Sequence, residues 1–78
     1  MKVQVSINSI SKVKEFCVKV FDVPEDLDLM LDRFCVDAKS IMGIFSIDIT
    51  QPLTLVIHTE DEGRAQEIKE LVKEYIVE

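Results

Sequence analysis

The sequence lacks tryptophan and has one histidine, two cysteines, two glycines and two prolines among its 78 residues, and these shortages exclude several classes of protein. With so little glycine and proline and no biased tract, the composition indicates neither a linker nor a disordered tail. One histidine and no CxxC spacing leave a metal site without support, and no cofactor is expected. A chain this short shares one core, so we expect a single domain over residues 1–78.

The two cysteines are too few for a disulfide framework. Cys17 and Cys35 both lie in apolar stretches, a pattern typical of buried, reduced thiols inside the cell. The first residues alternate apolar and polar side chains, and no apolar run is long enough for a signal peptide or a membrane span. We therefore expect a cytoplasmic protein without a membrane partner.

The charge balance is acidic, with nine basic and fifteen acidic side chains and a formal net charge of −6. Binding to a phosphate backbone would have to overcome this repulsion, so nucleic acid is not an expected partner. Near the start the balance reverses, with Lys2, Lys12, Lys14 and Lys19 against Glu15 alone up to residue 19. That segment is either a solvated helix face or a surface for an acidic partner.

The apolar spacing predicts seven elements in the order βαββαβα. They are a strand at 2–7, a helix at about 11–21, a hairpin with strands at 27–31 and 34–36, a helix of about two turns after Ser40, a strand at 53–59 and a helix at about 62–76. Ser9 or Ser11 is the predicted N-cap of the first helix, and Thr59 with Glu62 forms a predicted capping box before the last. The expected fold is α+β, an open-faced sandwich of four antiparallel strands with three helices on one face.

Residues 39–44 read KSIMGI and stand between the hairpin and the last strand. This segment resembles the HPr family, the histidine-containing phosphocarriers of the bacterial sugar phosphotransferase system, in which KSIMG surrounds a regulatory serine. The element order, the chain length and the core spacing of the first helix agree with that family without a gap from about residue 9 to 78. The resemblance implies the HPr-like fold predicted above.

The resemblance also implies a phosphorylated histidine at the start of the first helix, followed two residues later by arginine and then by proline. The ungapped match places Ser9, Ser11 and Lys12 at these degenerate carrier-site positions, and none of them matches. A serine hydroxyl without a base does not replace an imidazole near neutral pH. We therefore expect a divergent, non-catalytic member without ordinary phosphocarrier activity, similar to relatives that lack the histidine and act in catabolite repression.

The only histidine, His58, lies in the predicted strand LTLVIHT, opposite in phase to Leu55 and Ile57. If those two side chains face the helices, the imidazole points to the open face of the sheet. We interpret it as a surface histidine. The alternative is an active phosphocarrier with a rearranged site that uses His58 or a serine.

Ser40 is the expected site of regulatory phosphorylation. In the resembled family a dedicated kinase phosphorylates this serine, and the modified protein binds a transcriptional repressor. A phosphate at a helix N-cap meets free backbone N–H groups, and Lys39 is expected to lie beside it. The alternative is that Ser40 only caps the helix, which contributes about 1 kcal/mol.

The short second helix has more apolar residues than one face can bury. We expect Ile44 and Ile47 to face the core and Ile41, Met42 and Phe45 to form a partner-binding surface. The resemblance implies docking through this helix and the start of the first, with a serine kinase, a transcriptional regulator or phosphotransferase enzymes as partners. Two alternatives stay open: partial burial of these side chains under the loop at 46–51, and an interaction protein unrelated to sugar uptake.

Overall fold

The computed structural model describes residues 1–77 and contains the predicted elements in the predicted order. The strands are β1 (Lys2–Val5), β2 (Leu27–Leu31), β3 (Phe34–Asp37) and β4 (Leu53–Ile57), and the helices are α1 (Ile10–Val20), α2 (Ile41–Ile44) and α3 (Glu62–Leu71), followed by a 3₁₀ turn at Lys73–Tyr75. The strands form one antiparallel sheet in the order β1-β4-β2-β3. The predicted α+β open-faced sandwich is confirmed.

The alternation in β4 determines which face of the sheet the helices cover. Leu53, Leu55 and Ile57 are almost completely buried, whereas Thr54 and Val56 between them remain partly exposed. Successive side chains of a strand point to opposite faces, so the first set lies in the core and the second on the open face. The buried helix residues that meet this sheet include Val13, Phe16, Cys17 and Val20 of α1, Ile44 of α2, and Ala65 and Ile68 of α3.

The hairpin of β2 and β3 turns at Asp32 and Arg33, and Asp32 has a φ of 54°. Its register places Cys35 opposite Met30, and Cys35 is exposed. The prediction that both cysteines are buried is therefore wrong for Cys35, because the strand alternation directs it to the open face. Cys17 is buried and its thiol donates to the carbonyl of Ala38 at 3.8 Å. Burial is the main factor that raises the pKa of the Cys17 thiol.

Three helix predictions need correction: the length of α2, the cap of α3 and the end of α3. α2 has one regular turn instead of two, because after the Phe45 N–H the backbone bonds shorten to the three-residue spacing from Ser46 to Gly43. α3 is capped by Asp61, which accepts from the Arg64 N–H at 3.1 Å, and not by the predicted capping box. α3 also ends at Leu71, before the 3₁₀ turn, and not near residue 76.

The C-terminal segment covers one end of the outer edge of β1. The Ser6 N–H donates to the Tyr75 carbonyl at 2.7 Å, and the Val77 N–H donates to the Gln4 carbonyl at 2.9 Å. The Tyr75 ring packs edge-on against Phe16, with 5.6 Å between the ring centroids. These contacts hold the loop that leads from β1 into α1. Within residues 1–77 no helix has the length and apolar character needed to cross a bilayer.

Candidate functional site

Ser40 begins α2 and acts as its N-cap. Its backbone is extended (φ −102°, ψ 108°), and its Oγ accepts a hydrogen bond from the Gly43 N–H at 3.0 Å. The Ser40 carbonyl accepts from the Ile44 N–H at 3.0 Å, which closes the first turn of the helix. The side chain is partly exposed. The predicted cap is therefore present, on a residue that is only partly buried.

Gly43 allows the close approach of α2 to both the cap and β3. A Cβ at this position would lie 3.2 Å from Ser40 Oγ and 3.5 Å from Val36 Cβ. Contacts of 3.2 Å are tighter than most real Cβ contacts, so a larger residue would push the cap or the strand aside. Glycine is unfavourable inside a helix, and the close approach of α2 to β3 explains why it occurs at position 43.

Lys39 lines the same groove as Ser40, and its ammonium group is bonded to backbone carbonyls. Its ammonium group donates to the carbonyl of Val23 and, at 2.9 Å, to the carbonyl of Glu25. Glu25 is itself paired with Arg64 of α3 at 2.7 Å, and this hydrogen bond is the main factor that lowers the pKa of the Glu25 carboxyl. Lys39 therefore ties the end of β3 to the loop after α1.

An open apolar groove of about 410 Å³ lies between α1 and α2, and Ser40 lines it. Its walls include Val18 and Phe21 of α1 and Ile41 and Met42 of α2. Met42 is 83% exposed, Val18 75% and Phe21 72%. Large apolar side chains this exposed on adjacent elements are typical of a protein-binding surface. The term α1–α2 face refers below to one surface. It is formed by Ile10, Lys14, Val18, Phe21, Ile41, Met42 and Phe45.

The division of the α2 side chains into buried and exposed ones agrees with the sequence prediction. Ile44 and Ile47 are buried, while Ile41 and Phe45 remain about 40% and 39% exposed and Met42 is the most exposed of the three. Ile41 and Phe45 are therefore partly buried. The role of these three residues in partner binding stays a prediction.

The sequence prediction missed the contribution of Ile10, Val18 and Phe21. The buried stripe and the lysines of α1 were the features used to predict this helix. Residues 10, 14, 18 and 21 are spaced at four, four and three residues, so they line one side of α1 next to the buried stripe. The apolar members of this second stripe were the signal that could have found the surface.

The degenerate carrier-site positions lie at the start of α1. Ser9 is its N-cap, with an extended backbone, and its Oγ accepts from the Lys12 N–H at 3.2 Å. Ser11 and Lys12 are exposed, and the Lys12 ammonium donates to Asn8 Oδ1 at 3.3 Å. Of the two predicted caps, Ser9 is confirmed. These groups provide hydroxyl and ammonium donors but no imidazole.

His58 is remote from the start of α1. In the β1–β4 pairing Val5 lies opposite Leu53, so α1 begins near the first residue of β4, whereas His58 follows its last. The imidazole is exposed as predicted, and its Nε2 lies 2.7 Å from Asp28 Oδ2. The cleft around this pair also contains Asp26, Asp37 and Lys39. Its carboxylates disfavour a transferred phosphoryl group.

Residues 1–77 contain no group of three or more histidine, cysteine or carboxylate side chains arranged to hold a metal ion. The acidic cleft near His58 therefore has no metal-binding geometry in the described part of the chain. Asp28 pairs instead with His58, and Asp37 Oδ1 accepts from the Lys39 N–H at 2.9 Å.

No protein-family model matches the sequence, and no curated protein sequence matches it. Solved structures do match. HPr-C-His from Thermoanaerobacter tengcongensis superposes with a TM-score of 0.72 at 21% identity, covering 94% of this chain and 91% of that one. The phosphocarrier protein HPr from Bacillus anthracis superposes with a TM-score of 0.70 at 25% identity, covering 96% and 93%.

A third similar structure is Crh, the catabolite repression containing protein of Bacillus subtilis. It superposes with a TM-score of 0.65 at 25% identity, covering 100% of this chain and 90% of that one. The match thus extends over both serine-capped helices and the sheet. The chain therefore has the fold of HPr and Crh over nearly its whole length, and the predicted resemblance to the HPr family is confirmed.

Proposed function

We propose that this protein is a divergent HPr-like protein that has lost the carrier histidine and acts as a regulatory, protein-binding module through Ser40 and α2. The observation that carries this proposal is the position of Ser40: a partly exposed helix cap within KSIMG that lines the apolar groove of the α1–α2 face. The neighbours HPr and Crh support a role within the sugar phosphotransferase system or its regulation.

The start of α1 supports the loss of carrier activity. Ser9 occupies the expected histidine position, and its hydroxyl already accepts the Lys12 N–H. The high pKa of an aliphatic hydroxyl and the absence of an imidazole at this site disfavour attack on a phosphoryl donor at neutral pH. The proposal therefore assigns no catalytic residue and locates the protein in the cytoplasm, with protein partners only.

Two parallel phosphorylation reactions test the proposal. In the first, the protein is incubated with phosphoenolpyruvate and the general phosphotransferase enzyme, with HPr from Bacillus anthracis as the positive control. In the second, it is incubated with ATP and the HPr serine kinase. We expect acid-stable phosphate at Ser40 in the second reaction and no acid-labile phosphate in the first, read by mass spectrometry before and after acid treatment.

Matched variants separate the alternatives. Ser40→Ala should abolish the kinase reaction, while Ser9→Ala should leave it unchanged. Acid-labile phosphate that disappears in His58→Ala would support the rearranged carrier and contradict the proposal. A chain that accepts phosphate in neither reaction would instead favour an interaction protein unrelated to sugar uptake, with Ser40 only a cap.

A further inference from the structure

We propose that the α1–α2 face binds a second copy of this chain, so that two molecules form a symmetric dimer across α1. The exposed stripe of α1 is apolar at Ile10, Val18 and Phe21, and it continues across the groove to the exposed Met42 of α2. Exposed apolar side chains on two adjacent elements are typical of an interaction surface, whereas single scattered ones are not. A binding partner is therefore expected at this surface, and the charges beside it indicate that the partner is a second copy of the chain.

Two charged residues flank Val18 at equal distances along α1. Lys14 lies four residues before it and Asp22 four residues after it. Phe21, the C-cap, keeps helical dihedral angles (φ −57°, ψ −41°), so Asp22 stands one turn beyond Val18 on the same side. Within residues 1–77 neither Lys14 nor Asp22 has an ion-pair partner.

This arrangement is self-complementary. In a two-fold interface each contact occurs twice, and antiparallel copies of α1 that cross at Val18 place Lys14 of each copy opposite Asp22 of the other. The rise of about 1.5 Å per residue puts both charges about 6 Å from the axis along the helix. One pairing thus forms two opposite-charge contacts around an apolar centre.

The groove beside α1 gives the apolar side chains of the second copy a place to bind. It is open, and the exposed Met42 stands at its rim. In the symmetric arrangement the flexible methionine of one copy packs into the groove of the other, and the reverse contact is identical. Because both grooves are filled in the same step, association stops at two copies and does not continue into a fibre.

The remaining negative charge of the molecule does not oppose this contact directly. Lys19 and Glu74 bond to each other on the side of α1 that faces the C-terminal segment, away from the stripe. The stripe itself contains one lysine and one flanking aspartate, so its local charge is balanced although the chain has a net charge of −6. Salt screens the long-range repulsion between the copies, and it also weakens the two Lys14–Asp22 contacts.

Sedimentation equilibrium of the purified chain tests the dimer. We expect the apparent mass to rise from monomer to dimer between about 10 μM and about 1 mM, the range of a small interface. The double substitution Val18→Ser and Phe21→Ser should weaken association at least tenfold. Phe34→Ser is the matched control, because Phe34 is also exposed but lies on β3, and it should leave the association unchanged. A monomer at every concentration overturns the proposal.

A charge exchange tests the two-fold geometry. Lys14→Asp alone places like charges opposite each other, as does Asp22→Lys alone, and each should weaken the dimer several-fold. The double variant should restore it, because the pair is then reversed in both copies. Failure of this restoration contradicts the symmetric pairing. NMR shifts on dilution should be confined to α1 and α2, and shifts at the edge of β1 or β3 instead would locate the contact elsewhere and refute the proposal.

Failure of this inference is separate from failure of the proposed function. Dimer formation does not depend on a phosphate at Ser40, so a monomeric chain that is phosphorylated by the kinase refutes only the dimer. A dimeric chain with no phosphorylation refutes only the regulatory role.

Discussion

Ser9 and Ser40 cap different helices with the same hydrogen bond, but the surfaces around the two hydroxyls differ. Each Oγ accepts the N–H of the third residue of its helix, at 3.2 Å for Ser9 and 3.0 Å for Ser40. Ser9 lies beside the hydrogen-bonded side chains of Asn8 and Lys12, whereas Ser40 lines an apolar groove. The local chemistry alone therefore does not decide function; the neighbouring surface does.

The largest expected difference between the two serines is in phosphorylation. With the serine kinase and ATP, the chain should gain one phosphate, and Ser40→Ala should gain none. Ser9→Ala should behave like the unsubstituted chain, because the start of α1 lacks the KSIMG surroundings of Ser40. Intact-protein mass spectrometry followed by peptide mapping measures this. Phosphate on Ser9 would remove the proposed distinction between the two caps.

The second prediction concerns the tight contact that only Ser40 has. Gly43→Val should reduce the free energy of unfolding by about 2 kcal/mol, because the new side chain would meet Ser40 Oγ and Val36 at the closest approach of α2 and β3. Urea unfolding followed by circular dichroism measures the change. The control is Gly63→Ala in α3, where a Cβ would lie 3.3 Å from the capping Asp61 Oδ1 and would meet no neighbouring strand, so its effect should be smaller than that of Gly43→Val.

A third prediction concerns what the two caps share. Ser9→Ala and Ser40→Ala should each reduce the free energy of unfolding by about 1 kcal/mol, since each leaves one helix N–H without its side-chain acceptor. Ser9→Asp and Ser40→Asp should retain most of the stability, because a carboxylate also accepts from that N–H. A negligible effect of either alanine substitution would show that the corresponding hydrogen bond contributes little in solution.

The smallest expected effect is on the pH dependence of stability. It concerns the loop after α1, which Lys39 binds near Ser40 and which has no counterpart near Ser9. Arg64 lowers the pKa of the Glu25 carboxyl below its ordinary value of 4.5. The unfolded chain therefore binds a proton more readily at this site, so the pair stabilises the fold above pH 4.5 and this contribution is lost as the pH falls below it.

Substitution of the arginine tests this pH dependence. Arg64→Met should flatten the loss of stability between about pH 5 and about pH 3 without abolishing it, because Asp48 and Glu74 also have lowered pKa values. Urea midpoints across this range measure the effect, with Lys2→Met as the control for removal of a surface charge. An unchanged acid dependence would show that the Glu25–Arg64 pair does not contribute.

Much of the fold could be predicted because each element has its own local signal. The alternation of Leu53, Leu55 and Ile57 predicted β4, and the serine before an apolar run predicted both α1 and α2. Helix ends were less accurate, since the length of α2 depends on how closely Gly43 approaches β3. The capping box before α3 was wrong because Asp61 competes with Thr59 for the capping position and lies nearer the first turn.

The candidate site could be predicted only in part. The KSIMG segment indicated Ser40, and the excess of apolar residues predicted the exposure of Met42. The position of Lys39 could not be predicted, because its ammonium group bonds to carbonyls that lie 14 and 16 residues earlier in the chain. Phe21 was missed because its exposure depends on how α1 sits against α2.

The sequence by itself determined the order of the elements, the Ser40 cap and the absence of an imidazole at the start of α1, because these depend on residue identity and on neighbours within one or two turns. It left the cap of α1 open between Ser9 and Ser11. The tertiary structure decided that Ser40 lies in an apolar groove, that Val18, Phe21 and Met42 form one surface, and that Cys35 is exposed. Those properties arise from contacts between segments distant in sequence. The packing of the helices on the sheet determines the apolar surface, and the strand register determines the exposure of Cys35. Neither can be read from a local sequence pattern.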